Sequence, residues 1–488
     1  MKSRAIIWVL VLVLALGATT AHAQSQNQNV QSPDPSAPNP SASSPSMGGA
    51  NGKRPTGAAR GVSAANDPQP YDPSQVTPDS NTLAGAQLFG VGSLQHAHNI
   101  FDPSISVSEL GQTFPGTAGQ SYLSSATLVG GGLNLNRTWS RYHFAATYAG
   151  GETFNRGYFN LNSPFHDLSF VQEVDWARWH LLLRDDFVAS PGAAFTGSGM
   201  GGPGIIAQVA STLESSLNSI GQGFVPGETI QSGNATRYRN AALGQVEYSF
   251  SRRSAFTVAG SYGLLQFTGS GFISSHMLNA QAGYDYMIDP ADSIALLGSY
   301  GKIDYAGSSN STINYLAALA YGRRITGRLA FQVAAGPEQI RSTSSTGGFQ
   351  IWYGSVSSAL TYERRRNGVS FSFMRGLDSG SGVFQGAKSN IFTLGAHRQF
   401  TRYWTGSLTG GYAVNNSIVP AGVATVRYDN WFVGGSFGRQ LGRHALMSFS
   451  YGVQKQNSPA ACPVTGCGVN GLQQSFGMTV NWHLRPNG

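Results

Sequence analysis

Apolar residues alternate with small or polar residues along much of this chain, in segments that each keep the pattern for about a dozen residues. One segment has larger side chains at alternate positions: Tyr142, Phe144, Ala146 and Tyr148. Another, near the end of the chain, does the same: Phe476, Met478, Val480, Trp482 and Leu484. Because successive side chains of a β-strand point to opposite faces, this period of two predicts long strands with one apolar and one polar face.

Eight short turns separate these segments, and all but one carry arginine, often beside an aromatic residue. The turns lie at 137–142, 176–179, 251–254, 289–292, 323–328, 364–368, 398–404 and 439–444. They are spaced by about 38 residues, with one gap of about twice that length, which leaves room for two long strands and a loop per period. The pattern predicts a series of β-hairpins.

A strand that spans a bilayer needs about 9 to 11 residues and presents an apolar side chain to lipid at every second position. The segments meet both requirements. Eight turns join sixteen strands, a clear last strand covers 471–484, and a weaker first strand covers 104–112. Because a single-chain barrel with both ends on one side of the membrane has an even number of strands, we expect about 18, with 16 as the alternative. The predicted fold is all-β, a transmembrane antiparallel up-and-down β-barrel.

A β-propeller is the competing architecture, since propeller repeats of about 40 to 45 residues fall close to the observed period. Propeller blades hold four short strands, however, and the long alternating segments leave room for only two per period. The barrel is therefore favoured.

The start of the chain predicts export. Two basic residues precede an apolar run at 5–16, and Ala21 and Ala23 form a small-x-small cleavage site, so residues 1–23 are interpreted as a signal peptide. Residues 24–98 are rich in Gln, Asn, Ser, Pro and Gly and predict a disordered periplasmic arm, either a plain linker or a segment that touches peptidoglycan or a partner. The barrel is expected to occupy residues 99–488.

Composition supports a membrane barrel over a soluble periplasmic protein. Charged residues make up 11% of the chain, well below the roughly 25% usual for soluble domains. The formal net charge is +8, and about half of the 31 Lys and Arg residues lie in the tight turns.

Taken together, the signal peptide, the arm, the alternation, the tight turns and the aromatic-rich last strand resemble those of a bacterial outer-membrane β-barrel protein of porin-like size. The resemblance covers 99–488 and implies an outer-membrane location, periplasmic tight turns, and outer-membrane lipids and the barrel-assembly machinery as partners. Self-association is left open, and neither a nucleic acid nor a cofactor is implied. One departure is that 485–488 follow the last strand, where such barrels commonly end on an aromatic residue.

Charged residues within the strands are candidates for the pore lining. They are Glu173, Asp175, Arg184, Asp186, Glu247, Asp285, Lys302, Glu338 and Arg427. In a water-filled barrel, charges of both signs would orient and filter polar solutes. The alternative is that these residues pair with one another and only stabilise the barrel wall.

Arginine and aromatic residues at the turns are candidates for interface anchors, because both suit the lipid headgroup region. They are Arg137, Trp139, Arg141, Tyr142, Trp176, Trp179 and Trp404. The alternative is that they are ordinary solvated turn residues.

The longest connection, 191–236, contains a helical pattern of apolar residues. They are Ile206, Val209, Leu213, Leu217 and Ile220. An apolar helix face needs cover, so we expect this segment to fold into the barrel mouth as a constriction loop, or else over the outer rim or against a neighbouring subunit. In the last outward loop, Cys462 and Cys467 are expected to form a disulfide, since they are closely spaced in an exported chain.

Catalysis is not expected, because no motif of a nucleophilic or metal-dependent enzyme occurs. His143, Asp175 and His180 could approach one another across strands, as in a membrane-embedded hydrolase, but isolated histidines on a polar wall are more often structural. The favoured function is a porin-like channel for passive diffusion of small hydrophilic solutes. A structural or surface-interaction barrel without an open pore is the main alternative, and a hydrolase is the least favoured.

Overall fold

The computed structural model describes residues 100–115, 121–156, 162–190, 230, 236–269, 271–344, 347–364, 366–380, 382–418, 425–457 and 471–484. The predicted signal peptide, the whole of the predicted arm, the helix predicted at 206–220 and both cysteines lie outside these residues.

The described residues form eighteen strands, and their lengths suit a membrane-spanning barrel. The strands are β1 (Ile100–Pro115), β2 (Ser121–Thr138), β3 (Tyr142–Arg156), β4 (Ser163–Asp175), β5 (Trp179–Ser190), β6 (Arg237–Ser249), β7 (Ser254–Phe267), β8 (Ser275–Met287), β9 (Asp292–Tyr305), β10 (Ser311–Thr326), β11 (Leu329–Ser344), β12 (Gly347–Arg364), β13 (Asn367–Asp378), β14 (Ala387–Gln399), β15 (Trp404–Ser417), β16 (Arg427–Leu441), β17 (Ala445–Asn457) and β18 (Gly471–His483). Among the described residues, no helix is long and apolar enough to cross a membrane.

Every strand pairs antiparallel with its neighbours in the sequence, and the first strand also pairs with the last. In this closing pair, Ser104 lies opposite His483 and Thr113 lies opposite Gln474. The sheet is therefore a closed up-and-down barrel, which leaves no free edge. The predicted count of 18 strands is confirmed, and β1, the strand with the weakest pattern, is longer than predicted.

Eight tight turns lie at one end of the barrel, together with the start of β1 and the end of β18. Backbone hydrogen bonds close them, as where the Trp139 amide donates to the Tyr142 carbonyl over 2.8 Å. In the turn without arginine, the Asp289 side chain accepts hydrogen bonds from the amides of Ala291 (2.7 Å) and Asp292 (2.8 Å). These two donors hold the pKa of Asp289 below its ordinary value.

The two faces of the sheet differ as the alternation predicts. On β9, Leu296 is 63% exposed, whereas the neighbouring Ser293 and Ala295 are 0% and 2% exposed. Large apolar side chains dominate the outward positions of most strands, and small or polar side chains dominate the inward positions. The exterior thus suits lipid, and the wall that faces the barrel axis is where a functional site would lie.

Candidate functional site

The inward wall carries its charges unevenly. The inward positions of β4, β5, β6 and β8 hold several acidic side chains and arginines, and we call the inward faces of β4 to β8 the charged arc. The inward positions of β15, β16 and β17, on another side of the ring, hold only uncharged side chains. Their hydroxyl groups bond across strands, as between Ser407 and Ser436 (2.6 Å). The inward wall is therefore a mixture of polar, small and apolar side chains, and its charges lie mainly on one side.

At the tight-turn end of the charged arc, Asp175 lies between two histidines. His180, directly opposite Asp175 in the β4–β5 pair, has its Nδ1 2.8 Å from one carboxylate oxygen. The Nε2 atom of His143 lies 3.7 Å from the other. The Nδ1 atom of His143 lies 3.5 Å from the Thr138 hydroxyl.

The sequence-predicted trio is thus brought together. The trio lies beside the tight turns, at the end of the barrel opposite the long loops. These contacts hold the β3–β5 wall together, and they give no support to the hydrolase alternative.

Higher on the same arc, Asp186 binds two partners. The Ser169 hydroxyl donates to one Asp186 carboxylate oxygen over 2.6 Å, and the Arg184 Nε donates to the other. Arg184 is nearly fully buried. Because a buried charge needs a partner of opposite sign, this pair is mutually dependent.

Three further acidic residues of the wall differ in their partners. Glu338 accepts a hydrogen bond from the Asn314 side chain over 2.6 Å. Asp285 is 2% exposed, and among the described residues neither of its carboxylate oxygens has a hydrogen-bond partner. Glu247 lies on the same inward face as Asp285, two strands away, and opposite His180. Among the described residues, no group of three or more His, Cys, Asp or Glu side chains is arranged to hold a metal ion.

Seven of the nine predicted pore-lining residues lie on the inward face: Glu173, Asp175, Arg184, Asp186, Glu247, Asp285 and Glu338. Whether they line a conducting path stays a prediction.

Lys302 and Arg427 require correction, because the strand alternation places both on the outward face. Lys302 pairs with Asp304 (2.9 Å) and Arg427 with Asp429 (2.9 Å), each two residues along the same face. Both pairs lie near the long-loop ends of their strands. A charge there can face outward beyond the lipid, so polarity alone no longer identifies the inward face.

The interface anchor candidates lie at the tight-turn end, as predicted, although their role is untested. Trp139, Tyr142, Trp176 and Trp179 are exposed. The guanidinium of Arg137 lies 5.0 Å from the Trp139 ring, and that of Arg439 lies 4.9 Å from the Trp404 ring. Arg141 is exposed in the turn beside them. Cation and aromatic ring thus lie together at the level expected for lipid headgroups.

One feature of the lumen was missed from the sequence. The connection between β13 and β14, residues 379–386, folds inward at the long-loop end, and we call it the inner loop. Gly380, Gly382 and Gly386 have φ values of 85°, 77° and 91°, a region that favours glycine. The closely spaced glycines of this segment are the signal that could have indicated a tightly folded loop.

The inner loop contacts strands on both sides of the ring. Its Gly382 carbonyl accepts a hydrogen bond from the Ile273 amide over 2.8 Å, and Gly382 lies against the Phe267 ring. The ring of Phe384 meets that of Tyr428 edge to face, with centroids 5.2 Å apart. Since β7 and β16 lie about half-way round the ring from each other, the inner loop narrows the mouth.

No family model and no curated protein matches this chain. Among solved structures, OccK2 (OpdF) of Pseudomonas aeruginosa is similar with a TM-score of 0.39 and 8% identity, covering 79% of this chain and 98% of that chain. OpdQ of the same organism is similar with a TM-score of 0.37 and 9% identity, covering 79% of this chain and 99% of that chain. BauA, the ferric preacinetobactin receptor of Acinetobacter baumannii, is similar with a TM-score of 0.39 and 8% identity, covering 80% of this chain and 81% of that chain. Similarity this low assigns neither a solute nor a residue role.

Proposed function

We propose that this protein is an outer-membrane channel for the passive diffusion of small hydrophilic solutes. The observation that carries the proposal is the closed ring of 18 strands, which is apolar outside and carries many polar and charged side chains on its inward face. A barrel of about 16 to 18 strands is wide enough to leave an aqueous channel when side chains alone line it. The polar and charged side chains of the inward face suit contact with water and dissolved solutes.

The proposed location is the bacterial outer membrane, with the tight turns in the periplasm. Two features support it: the apolar outer surface, and the arginine and aromatic residues gathered at the tight-turn end. The proposed partners are the lipids of that membrane and the machinery that inserts barrels. The N-terminal arm would then lie in the periplasm, since the chain enters β1 at the tight-turn end.

Passage through the barrel would depend on how its wall replaces the water around a solute. Hydroxyl and amide groups on β15 to β17 both donate and accept hydrogen bonds, so they can substitute for water around an uncharged polar solute. The charged arc on the other side produces a field across the lumen, which orients a dipolar solute. The inner loop adds a narrow point at the long-loop end, where Phe384, packed against the buried Tyr428, would restrict the size of a solute.

The inner loop also supports the second candidate, a structural barrel without an open pore. Its buried glycines and its contacts with both sides of the mouth are what a plug would show. The two candidates differ in one measurable property, because only the channel admits solutes.

Liposome swelling separates the two candidates. Refolded protein in vesicles should admit small sugars, with a rate that falls as solute size increases. Phe384→Ala should raise the rate for the larger sugars, because it removes a ring from the narrow point. Phe449→Ala, which removes an exposed ring from the outward face of β17, is the matched control and should leave the rates unchanged. Correctly folded protein that admits no solute would favour the structural barrel.

A further inference from the structure

Positive side chains lie on the outward face at the long-loop end of the barrel, and they are concentrated on one half of the ring. Within three residues of that end, the described outward positions of β9 to β17 carry six lysines and arginines: Lys302, Arg341, Arg375, Lys388, Arg427 and Lys455. The corresponding described positions of β1 to β8 carry one, Arg156. We call the six residues the outer belt.

Few acids balance the outer belt. Along the same described stretch, the outward acids near the long-loop end are Asp304 and Asp429. Each is already bound to a belt residue, since the Lys302 Nζ lies 2.9 Å from Asp304 and the Arg427 Nε lies 2.9 Å from Asp429. The other four belt residues form no ion pair with any acid in the part of the chain that the structure describes. This face therefore carries an excess of positive charge.

The strand register sets belt cations close to one another. In one row, Lys302 on β9 lies opposite Ile313, and Ile313 lies opposite Arg341 on β11. Neighbouring strands lie about 4.8 Å apart, so the Cα atoms of the two cations are separated by about 10 Å. Both side chains are long enough to cover about half of that gap. One anion between them can therefore contact both.

A second row repeats the arrangement with an amide between the cations. Lys388 on β14 lies opposite Asn416, and Asn416 lies opposite Arg427 on β16. The ammonium group of Lys388 also lies 5.8 Å from the centre of the Tyr353 ring, a contact that does not neutralise its charge. Ammonium, guanidinium and amide groups all donate hydrogen bonds. Three donors in a row suit an anion with several acceptor oxygens, such as phosphate.

Aromatic rings lie next to the outer belt on its membrane side. The guanidinium of Arg341 lies 5.8 Å from the centre of the Tyr315 ring, which packs against Tyr300 with centroids 5.5 Å apart. Trp352, in the same register row two strands from Tyr315, is 63% exposed. Rings at this depth contact acyl chains, and cations beyond them contact headgroups. The surface therefore complements a lipid with an anionic headgroup better than a soluble anion.

We propose that the outer belt is a docking site for the phosphate groups of lipids in the leaflet at the long-loop end. This inference rests on the proposed membrane location and orientation, and it does not depend on an open pore. Each basic residue near an anionic membrane surface raises the affinity for anionic lipid by about fivefold. The half of the outer surface formed by β9 to β17 then keeps a shell of phosphate-bearing lipids, whether or not the barrel conducts.

The test counts the lipid A that the full-length protein retains when a mild detergent extracts it from the outer membrane of a Gram-negative host. Lipid A is the probe because it carries phosphate groups and occupies the outer leaflet. Native mass spectrometry measures the ratio of lipid-bound to lipid-free barrels. In the triple variant Arg341→Gln, Arg375→Gln and Lys388→Gln, that ratio should fall by at least about tenfold, since three basic residues near the membrane surface are lost.

Two comparisons make the test specific. The matched control Arg252→Gln, Arg253→Gln and Arg328→Gln removes three exposed arginines from the tight turns, and it should leave the ratio unchanged because those turns face the other leaflet. Raising the salt from about 0.1 M to 1 M shortens the Debye length from about 10 Å to 3 Å, and it should release lipid A from the wild-type protein. Each variant is first checked for the heat-dependent gel shift of a folded barrel. If the triple variant does not fold, Arg341→Gln alone should still lower the ratio by about fivefold.

The outcomes separate this proposal from the proposed function. A ratio that the triple variant and high salt both leave unchanged would show that apolar contacts alone hold the lipid, and it would overturn the phosphate site. Loss of lipid A in the tight-turn control instead of the triple variant would overturn the site and the orientation together. Absence of the wild-type protein from the outer membrane would refute the location itself, whereas the channel function is judged separately by liposome swelling.

Discussion

The backbones of β10 and β11 approach closely at Gly336, and this contact gives a sharp test of the barrel register. A Cβ atom at Gly336 would lie 1.9 Å from the carbonyl oxygen of Ala317 and 2.5 Å from the Cα of Ala318. These are backbone atoms of a paired strand, so they cannot turn aside as the end of a side chain can. Gly336→Ala must therefore push the two strands apart, at a cost of about 1 to 3 kcal/mol for overpacking.

Gly354 provides the matched control. It lies on β12, opposite Pro337, and a Cβ atom there would meet nothing within 4 Å. Gly354→Ala should be neutral or stabilise the barrel by about 0.5 to 1 kcal/mol, because alanine loses less backbone entropy than glycine on folding.

The assay is urea unfolding in lipid vesicles, followed by tryptophan fluorescence. The free energy of unfolding should be lower for Gly336→Ala than for Gly354→Ala by at least about 1 kcal/mol. Equal unfolding midpoints for the two variants would refute the close approach and, with it, the register of β10 against β11.

Three further predictions concern single contacts and the orientation. Arg184→Ala should destabilise the barrel by about 3 to 5 kcal/mol by removing the guanidinium that binds the Asp186 carboxylate, whereas replacing both residues with leucine should cost much less in the same urea assay. Because the pKa of Asp289 is lowered in the fold, its contribution to stability is present above the ordinary aspartate pKa and is lost as pH falls through the lowered value. Asp289→Ala should thus lower the unfolding midpoint at neutral pH but not in strong acid, and a pH-independent difference would contradict this. With both native cysteines replaced by serine, Ser308→Cys should react with an impermeant thiol reagent on intact cells and Ser140→Cys should not, and the reverse labelling would invert the proposed orientation.

Most of the fold could be predicted from the sequence because one physical rule governs it. A strand between lipid and a polar interior must alternate, and the tight turns between strands are short and rich in arginine or Asp-Pro. Counting the tight turns predicted 18 strands. The weak β1 was included because a single-chain barrel has an even number of strands. The alternation also placed seven of nine charged candidates on the correct face, since the centre of each strand lies within the lipid.

The errors arose where lipid no longer constrains the sequence. Lys302 and Arg427 lie toward the long-loop ends, where an outward side chain can pair with the acid two residues along the strand. A charge at such a position carries no information about the face. The inner loop was missed for a different reason: its contacts with Phe267 and Tyr428 join strands that are distant in sequence, so no local pattern encodes them.

The network around Asp175 was partly predictable. Asp175 and His180 flank one tight turn, so they face each other as soon as the hairpin is recognised. The hydrogen bond from Ser169 to Asp186, farther along the same two strands, was not, because it depends on the register of β4 against β5. Side-chain neighbours across a barrel follow from register, and register is fixed by many small contacts rather than by any one motif.

The central claim, that the barrel encloses an open aqueous path, is tested most directly by single-channel recording. Refolded mature protein that shows the heat-dependent gel shift should give discrete, ohmic conductance steps in a planar bilayer, and Phe384→Ala should enlarge them. The same protein, folded and inserted but electrically silent even after this substitution, would contradict the claim.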